Sequence, residues 1–218
     1  MPNSERNHSS LWLALLLLVL ISPFANTFVN SLVVKVLSTT GANYRWVGQA
    51  CIPSAILFCA LYLVTRPAEP FGLPSKATQW KYVWLISIGW LLAWLYGSIV
   101  HAFLKGGWHA YTVGVAPLVG FLFIGALGEE LFFRGALFEV GERLFGPNSL
   151  VTLLGSSVLF SLHHFQLHGY QITEASLLQM AFTLPMGLVF GKLRLLTKSI
   201  WPSLLLHIVT NLFHSFSL

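Results

Sequence analysis

Residues 111–133 read YTVGVAPLVGFLFIGALGEELFF, and Glu129 and Glu130 are the only charges in that run. Arg134 follows at once. A run of this length and apolarity can cross a hydrocarbon core of ~30 Å as a single helix. A charge at mid-bilayer costs roughly 2.5–3.5 kcal/mol on insertion scales, so two carboxylates and a guanidinium in such a helix need a reason.

The chain around that run has the same character. Apolar residues make up 56% of the 218, charged residues 9%, and the mean hydropathy is +0.73. Soluble domains carry about 25% charged residues. The expected fold is therefore all-α, a polytopic transmembrane helical bundle. Its apolar runs give seven spans: Leu11 to Asn30, Trp46 to Val64, Tyr82 to Leu104, Tyr111 to about Phe138, Ser149 to Phe165, Ala175 to Lys192 and Trp201 to Phe216. An eighth, short or re-entrant segment would spoil this count, and the loop from Gln166 to Glu174 is a place for one. The first span has a single Arg6 before it and runs on past Pro23, which reads as a retained anchor rather than a cleaved signal. No linker, repeat or low-complexity tract divides the chain, so residues 1–218 read as a single integral-membrane domain. Within it, residues 1–110 carry few polar groups at depth, and residues 111–216 carry nearly all the interesting ones.

The net charge of +5 does not point to nucleic acid, because the basic residues lie between apolar runs rather than in one patch. They act as topology signals. Seven spans put Arg6, Arg66, Lys76, Lys81, Arg143, Lys192, Arg194 and Lys198 on one side, against Lys35, Arg45 and Lys105 on the other. The positive-inside rule then places the N-terminus in the cytoplasm. Cys51 and Cys59 are eight residues apart in one apolar run, a rise of about 12 Å on a helix, too far for a disulfide. They read as small buried apolar residues.

Three clusters of polar residues sit inside the apolar runs. Glu130 and Arg134 are four apart with the acid first, the favourable order for an ion pair on one helix. Glu129 is turned about 100° away, so it faces elsewhere without a local partner. Phe160 and His164 share a face of the fifth span, and His207 and Asn211 share a face of the seventh. Ser199 and Pro202 mark the start of that last helix. Singly, the last two clusters read equally well as polar contacts between helices. The histidines at 8, 101, 109, 168 and 214 read as interfacial or loop residues. Depth links the clusters. Counted from Arg143, Ser149 and Lys198, Glu129 and His164 lie about 21–23 Å in, and His207 and Asn211 about 14–20 Å in.

A carboxylate and an imidazole at one depth can hold and deprotonate a water. A second imidazole and an amide can donate hydrogen bonds to an oxyanion growing on a carbonyl. Glu130 and Arg134 then hold the fourth helix in place. The reaction class is hydrolysis of an amide bond within the membrane. Zinc bound by the same glutamates and histidines is the open rival, although there is no His-Glu-x-x-His and asparagine is not among zinc's usual ligands. The expected cofactor is none, with zinc not excluded.

Glu129-Glu130-x-x-x-Arg134, Phe160-x-x-x-His164 and His207-x-x-x-Asn211, with Glu129-Glu-Leu-Phe-Phe-Arg-Gly135 and Trp201-Pro-Ser-Leu-Leu-Leu-His207 around them, resemble the CAAX protease and bacteriocin-processing (CPBP, or Abi) family. The resemblance covers about Ala116 to Phe213. It implies an intramembrane glutamic endopeptidase in which Glu129 and His164 activate water, His207 and Asn211 form the oxyanion hole, and Glu130, Arg134 and Phe160 support them. Adjacent His163 is the alternative imidazole, and spacing from Phe160 favours His164.

The implied partner is a membrane-associated peptide or protein: a prenylated tail, a leader peptide or a C-terminal sorting tail. The depth of Glu129 fits access from the outer half of the bilayer. The expected location is a prokaryotic inner membrane. Two non-proteolytic readings remain, an immunity protein whose polar cluster binds a partner, and a transporter with Glu129 as proton carrier. The absence of repeat symmetry counts against the transporter.

Overall fold

The computed structural model describes residues 11–13, 15–16, 73–74, 79–105, 120–165 and 171–217. The expected spans Leu11 to Asn30 and Trp46 to Val64 lie largely or wholly outside these residues. So do Cys51, Cys59, His8, His109, His168 and the side chains of His101 and His214.

Every long element among the described residues is helical. Helix α1 is Trp80–Lys105. Helix α2 is a composite of four consecutive stretches: a π-turn Gly120–Gly125, an α-turn Ala126–Glu130, a second π-stretch Leu131–Leu137 and a terminal α-helix Phe138–Phe145. Helices α3 (Leu150–His163), α4 (Glu174–Thr197) and α5 (Trp201–Ser217) complete the order. By length and apolarity α1, over Trp80–Val100, and α4 can cross a membrane; α3 is apolar but shorter.

The helix ends follow from local chemistry. Gly146 ends α2 at φ +88°, a conformation open to glycine and costly for a side chain. Three residues later Ser149 caps α3 by accepting from the Thr152 amide at 3.4 Å. Thr173 and Ser176 form a reciprocal capping box at the start of α4, with bonds of 2.8 and 3.1 Å. Before α5, the Ser199 hydroxyl accepts from the Trp201 amide at 3.3 Å.

Packing sorts the faces. On α1 the exposed stripe is Leu85, Ile88, Leu92, Leu95 and Ile99, at alternating three- and four-residue steps, while Val83, Trp94 and Ser98 are buried. An apolar stripe of that kind suits lipid. Trp90 on α1 donates from Nε1 to Thr210 Oγ1 on α5 at 3.1 Å. Helices α3 and α4 pair through small residues. A Cβ added at Gly187 meets the Cα of Ser157 at 3.0 Å, and one added at Gly191 meets Leu153 Cδ1 at 2.6 Å. This Gly-x-x-x-Gly pair lets the two backbones approach. Pro185 interrupts α4, and the Ser161 hydroxyl bonds the Met180 carbonyl at 2.7 Å just before it. That bond ties α3 to α4 one residue before Ala181, whose carbonyl Pro185 leaves without its helical donor. The core gathers on the second π-stretch, whose seven residues are all buried, with Phe160, Met186, Phe190, Leu193 and Leu206 around it.

A polar cluster closes one end of the bundle. Lys198 Nζ donates to Glu142 Oε1 at 2.7 Å and to Asn148 Oδ1 at 3.0 Å, and the Asn148 amide donates to Glu142 Oε1 at 3.2 Å. Burial alone would raise the Glu142 carboxyl. The Lys198 ammonium, the Asn148 amide and the Arg194 charge outweigh it and hold the group below the ordinary carboxylate value of 4.5. A folded value below the unfolded one means that the contact stabilises above the unfolded value and is lost as pH falls through the folded one. Thermal melts in detergent between pH 7 and 3 should therefore show the wild type losing more stability below pH ~4.5 than Glu142→Gln. Parallel curves would show that the contact contributes nothing.

Candidate active site

The π-stretch Leu131–Leu137 follows directly on the two glutamates, and wide i→i+5 turns of this kind recur at functional sites. Glu130 is fully buried and its Oε1 lies 3.3 Å from Arg134 Nη1, the ion pair expected from their spacing. Arg134, equally buried, donates from Nη2 to the Gly187 carbonyl at 3.3 Å. Its guanidinium sits over the Phe160 ring at 4.3 Å and near those of Phe190 and Phe133 at 5.3 and 5.8 Å. Aromatic faces carry negative charge density, so three rings compensate part of the lost hydration of the cation.

Helix α5 brings His207 against both carboxylates. Its Nδ1 is 3.1 Å from Glu130 Oε1, and its Nε2 is 3.7 Å from Glu129 Oε2. Glu129, turned away from Glu130 and Arg134 on its own helix, meets its neighbour from α5. The two glutamates diverge by about 100° on α2, but an imidazole presents two nitrogens on opposite edges and can meet both. Since a carboxylate paired with a guanidinium only accepts, Nδ1 carries the proton that goes to Glu130. Nε2 then bears a proton only in the imidazolium form. In that form His207 and Arg134 balance Glu129 and Glu130, two charges against two.

The end of α3 and the turn that caps it supply the other imidazoles. His164 is buried, and its Nδ1 lies 2.8 Å from the Phe160 carbonyl oxygen. A carbonyl cannot donate, so Nδ1 carries the proton and Nε2 of the neutral ring offers a lone pair. His163 packs its ring on Phe133 at 5.5 Å. The charge of Glu129 reaches both rings. Phe160 is the floor of the site, with its ring 4.8 Å from that of His164 and 6.0 Å from that of His207. Asn211, one turn beyond His207 on α5, is partly buried.

Glu129, Glu130, Arg134, Phe160, His164 and His207 therefore converge from α2, α3 and α5. Sequence reasoning missed the contribution of α4. Phe190 packs its ring 5.0 Å from that of His207, and Gly187 supplies the carbonyl for Arg134. The Gly187-x-x-x-Gly191 spacing is a readable sign that α4 comes close. Among the described residues no three His, Cys, Asp or Glu side chains are arranged to hold a metal ion.

Residues 111–213 match the family model described as type II CAAX prenyl endopeptidase, Rce1-like. Over that stretch the chain is similar to the Rce1-like family. That family is one of CAAX-type proteases, integral to the membrane and acting on membrane-associated peptides, and the match supports the same general class here. All three motifs of the Rce1-like segment, from Glu129 to Asn211, fall inside the match. No curated protein and no solved structure matches the chain.

Proposed function

We propose that this protein is an intramembrane endopeptidase of the glutamic type, with residues 111–216 as its catalytic core. Glu129 takes a proton from a water that His164 holds through the Nε2 lone pair. The hydroxide adds to the scissile carbonyl carbon, and the electron pair moves to oxygen. The resulting oxyanion accepts from His207 Nε2–H and from the Asn211 amide. Collapse expels the amine, which takes the proton held by Glu129, and leaves a new carboxyl terminus.

The contact of His207 with both carboxylates is the observation that carries this reading. A purely structural polar knot would be complete with Glu130, Arg134 and His207. Glu129, the more exposed of the glutamates, adds a second carboxylate that this knot does not need. The substrate is a membrane-associated peptide, in the form of a prenylated tail, a leader or a sorting tail. The proposed setting is a prokaryotic inner membrane with the N-terminus in the cytoplasm.

The test is purified protein in detergent, given a farnesylated tail peptide and an unprenylated leader peptide in parallel. Wild type should cleave one of them, and Glu129→Ala and His164→Ala should not. Variants as fast as wild type would end the mechanism. Loss of activity with a chelator, restored by zinc, would favour the metal-dependent rival.

A further inference from the structure

Arg194 entered the charge count as one of the cations flanking the spans. The structure buries it instead. Helix α4 runs on to Thr197, and Arg194 in its last turns is 3% exposed. Its Nε donates to the backbone carbonyl of Arg134 at 3.0 Å. Its Nη1 is buried with no hydrogen-bond partner, and the Glu142 and Glu139 charges compensate it from a distance.

Residue 134 is thus tied to α4 twice. Its carbonyl is held by Arg194, and its side chain is held by the Gly187 carbonyl. The two anchor points are seven residues apart, about 10.5 Å along α4. Arg134 sits in the π-stretch, where an i→i+5 register widens the turn and a donor from a neighbouring helix can reach a carbonyl. Burying a guanidinium for one backbone bond is expensive, since the desolvation of each buried ion amounts to several kcal/mol. A charge-assisted bond is about twice as strong as a neutral one, which suits a clamp that must hold a particular register.

We infer that Arg194 is a positioning residue for the glutamate pair. By holding the Arg134 carbonyl it sets the register of the π-stretch. That register sets where the Glu130 carboxylate stands, and hence how His207 is aimed at Glu129. The inference rests on the proposed roles of Glu129 and His207, and it assigns α4 a part in the chemistry without placing any α4 side chain on the substrate.

The full-length protein in micelles, labelled with ¹⁵N-histidine, reports on this without turnover; the His207 signal is the one lost in His207→Gln. Arg194→Met should displace the His207 Nδ1 resonance, whereas Arg194→Lys, which keeps a charged donor, should leave it in place. On a cleaved peptide Arg194→Met should lower kcat about tenfold or more with KM within about twofold, as a shift of ~1 Å can cost up to ~10²-fold. Where Arg194→Met does not fold, the same readings are taken from Arg194→Gln, whose neutral side chain is too short for the contact. A folded Met or Gln variant with an unmoved His207 signal overturns the inference. So does an Arg194→Lys signal displaced as far as theirs. If wild type cleaves nothing while the His207 signal still moves, the proteolytic reading fails and the positioning role stands.

Discussion

Glu129→Gln should leave a folded bundle and slow peptide cleavage by about 10²–10⁴-fold, the range contributed by a positioned general base. Glutamine has nearly the same shape and keeps a hydrogen-bond acceptor, but cannot take the water's proton. The side chain is 18% exposed and lies 3.7 Å from His207, so little packing depends on its charge. In the proposed mechanism His164 offers its lone pair to the same water, which would make the two residues a unit. The Glu129→Gln/His164→Ala double variant should then be about as slow as the slower single variant, because losses within one catalytic unit do not add. Single-turnover cleavage with enzyme in excess, with Glu142→Gln as a remote control, reads both results. Activity of Glu129→Gln within about threefold of wild type would remove Glu129 from the role of base, and additive losses would separate it from His164.

Much of this arrangement is legible in the amino-acid sequence alone. The third, fifth, sixth and seventh apolar runs coincide with α1, α3, α4 and α5 to within a few residues, because apolar length and capping residues are local properties. The Glu130–Arg134 pair is readable from its four-residue spacing. Depth counting puts Glu129 level with His164 and His207 about 7 Å shallower, yet Glu129 and His207 lie 3.7 Å apart. What is not readable depends on register and on neighbours. A π-stretch changes which amide bonds which carbonyl without a distinct composition, so Leu131–Leu137 looks like any other apolar helix. Arg194 looks like a flanking cation because nothing near it in sequence reveals the Arg134 carbonyl that receives it. His207 meets two carboxylates only because α5 crosses α2 at one level, and helical spacing on α2 alone predicts two separate environments.

Arg134→Leu should destabilise the protein severely, by about 3–5 kcal/mol, because it removes one member of a buried ion pair and strands the other. Glu130 is fully buried, and without Arg134 its charge is left with only His207 and the Ser203 hydroxyl. The loss also frees the Gly187 carbonyl and empties the space over Phe160. Arg134→Lys should recover only part of the stability. An ammonium keeps the charge but lacks the planar fork that reaches Glu130 and Gly187 together while lying flat on a ring. Glu130→Gln combined with Arg134→Leu should be more stable than Arg134→Leu alone, since the stranded charge is then gone. Thermal melts of the four proteins in one detergent give the order directly: wild type first, Arg134→Leu last. That order separates two causes that a single variant confounds. If lost packing over Phe160 were the whole effect, adding Glu130→Gln would restore nothing. If the stranded carboxylate dominates, the double variant regains stability while remaining poorly active, because His207 then receives neither the Glu130 charge nor its fixed orientation.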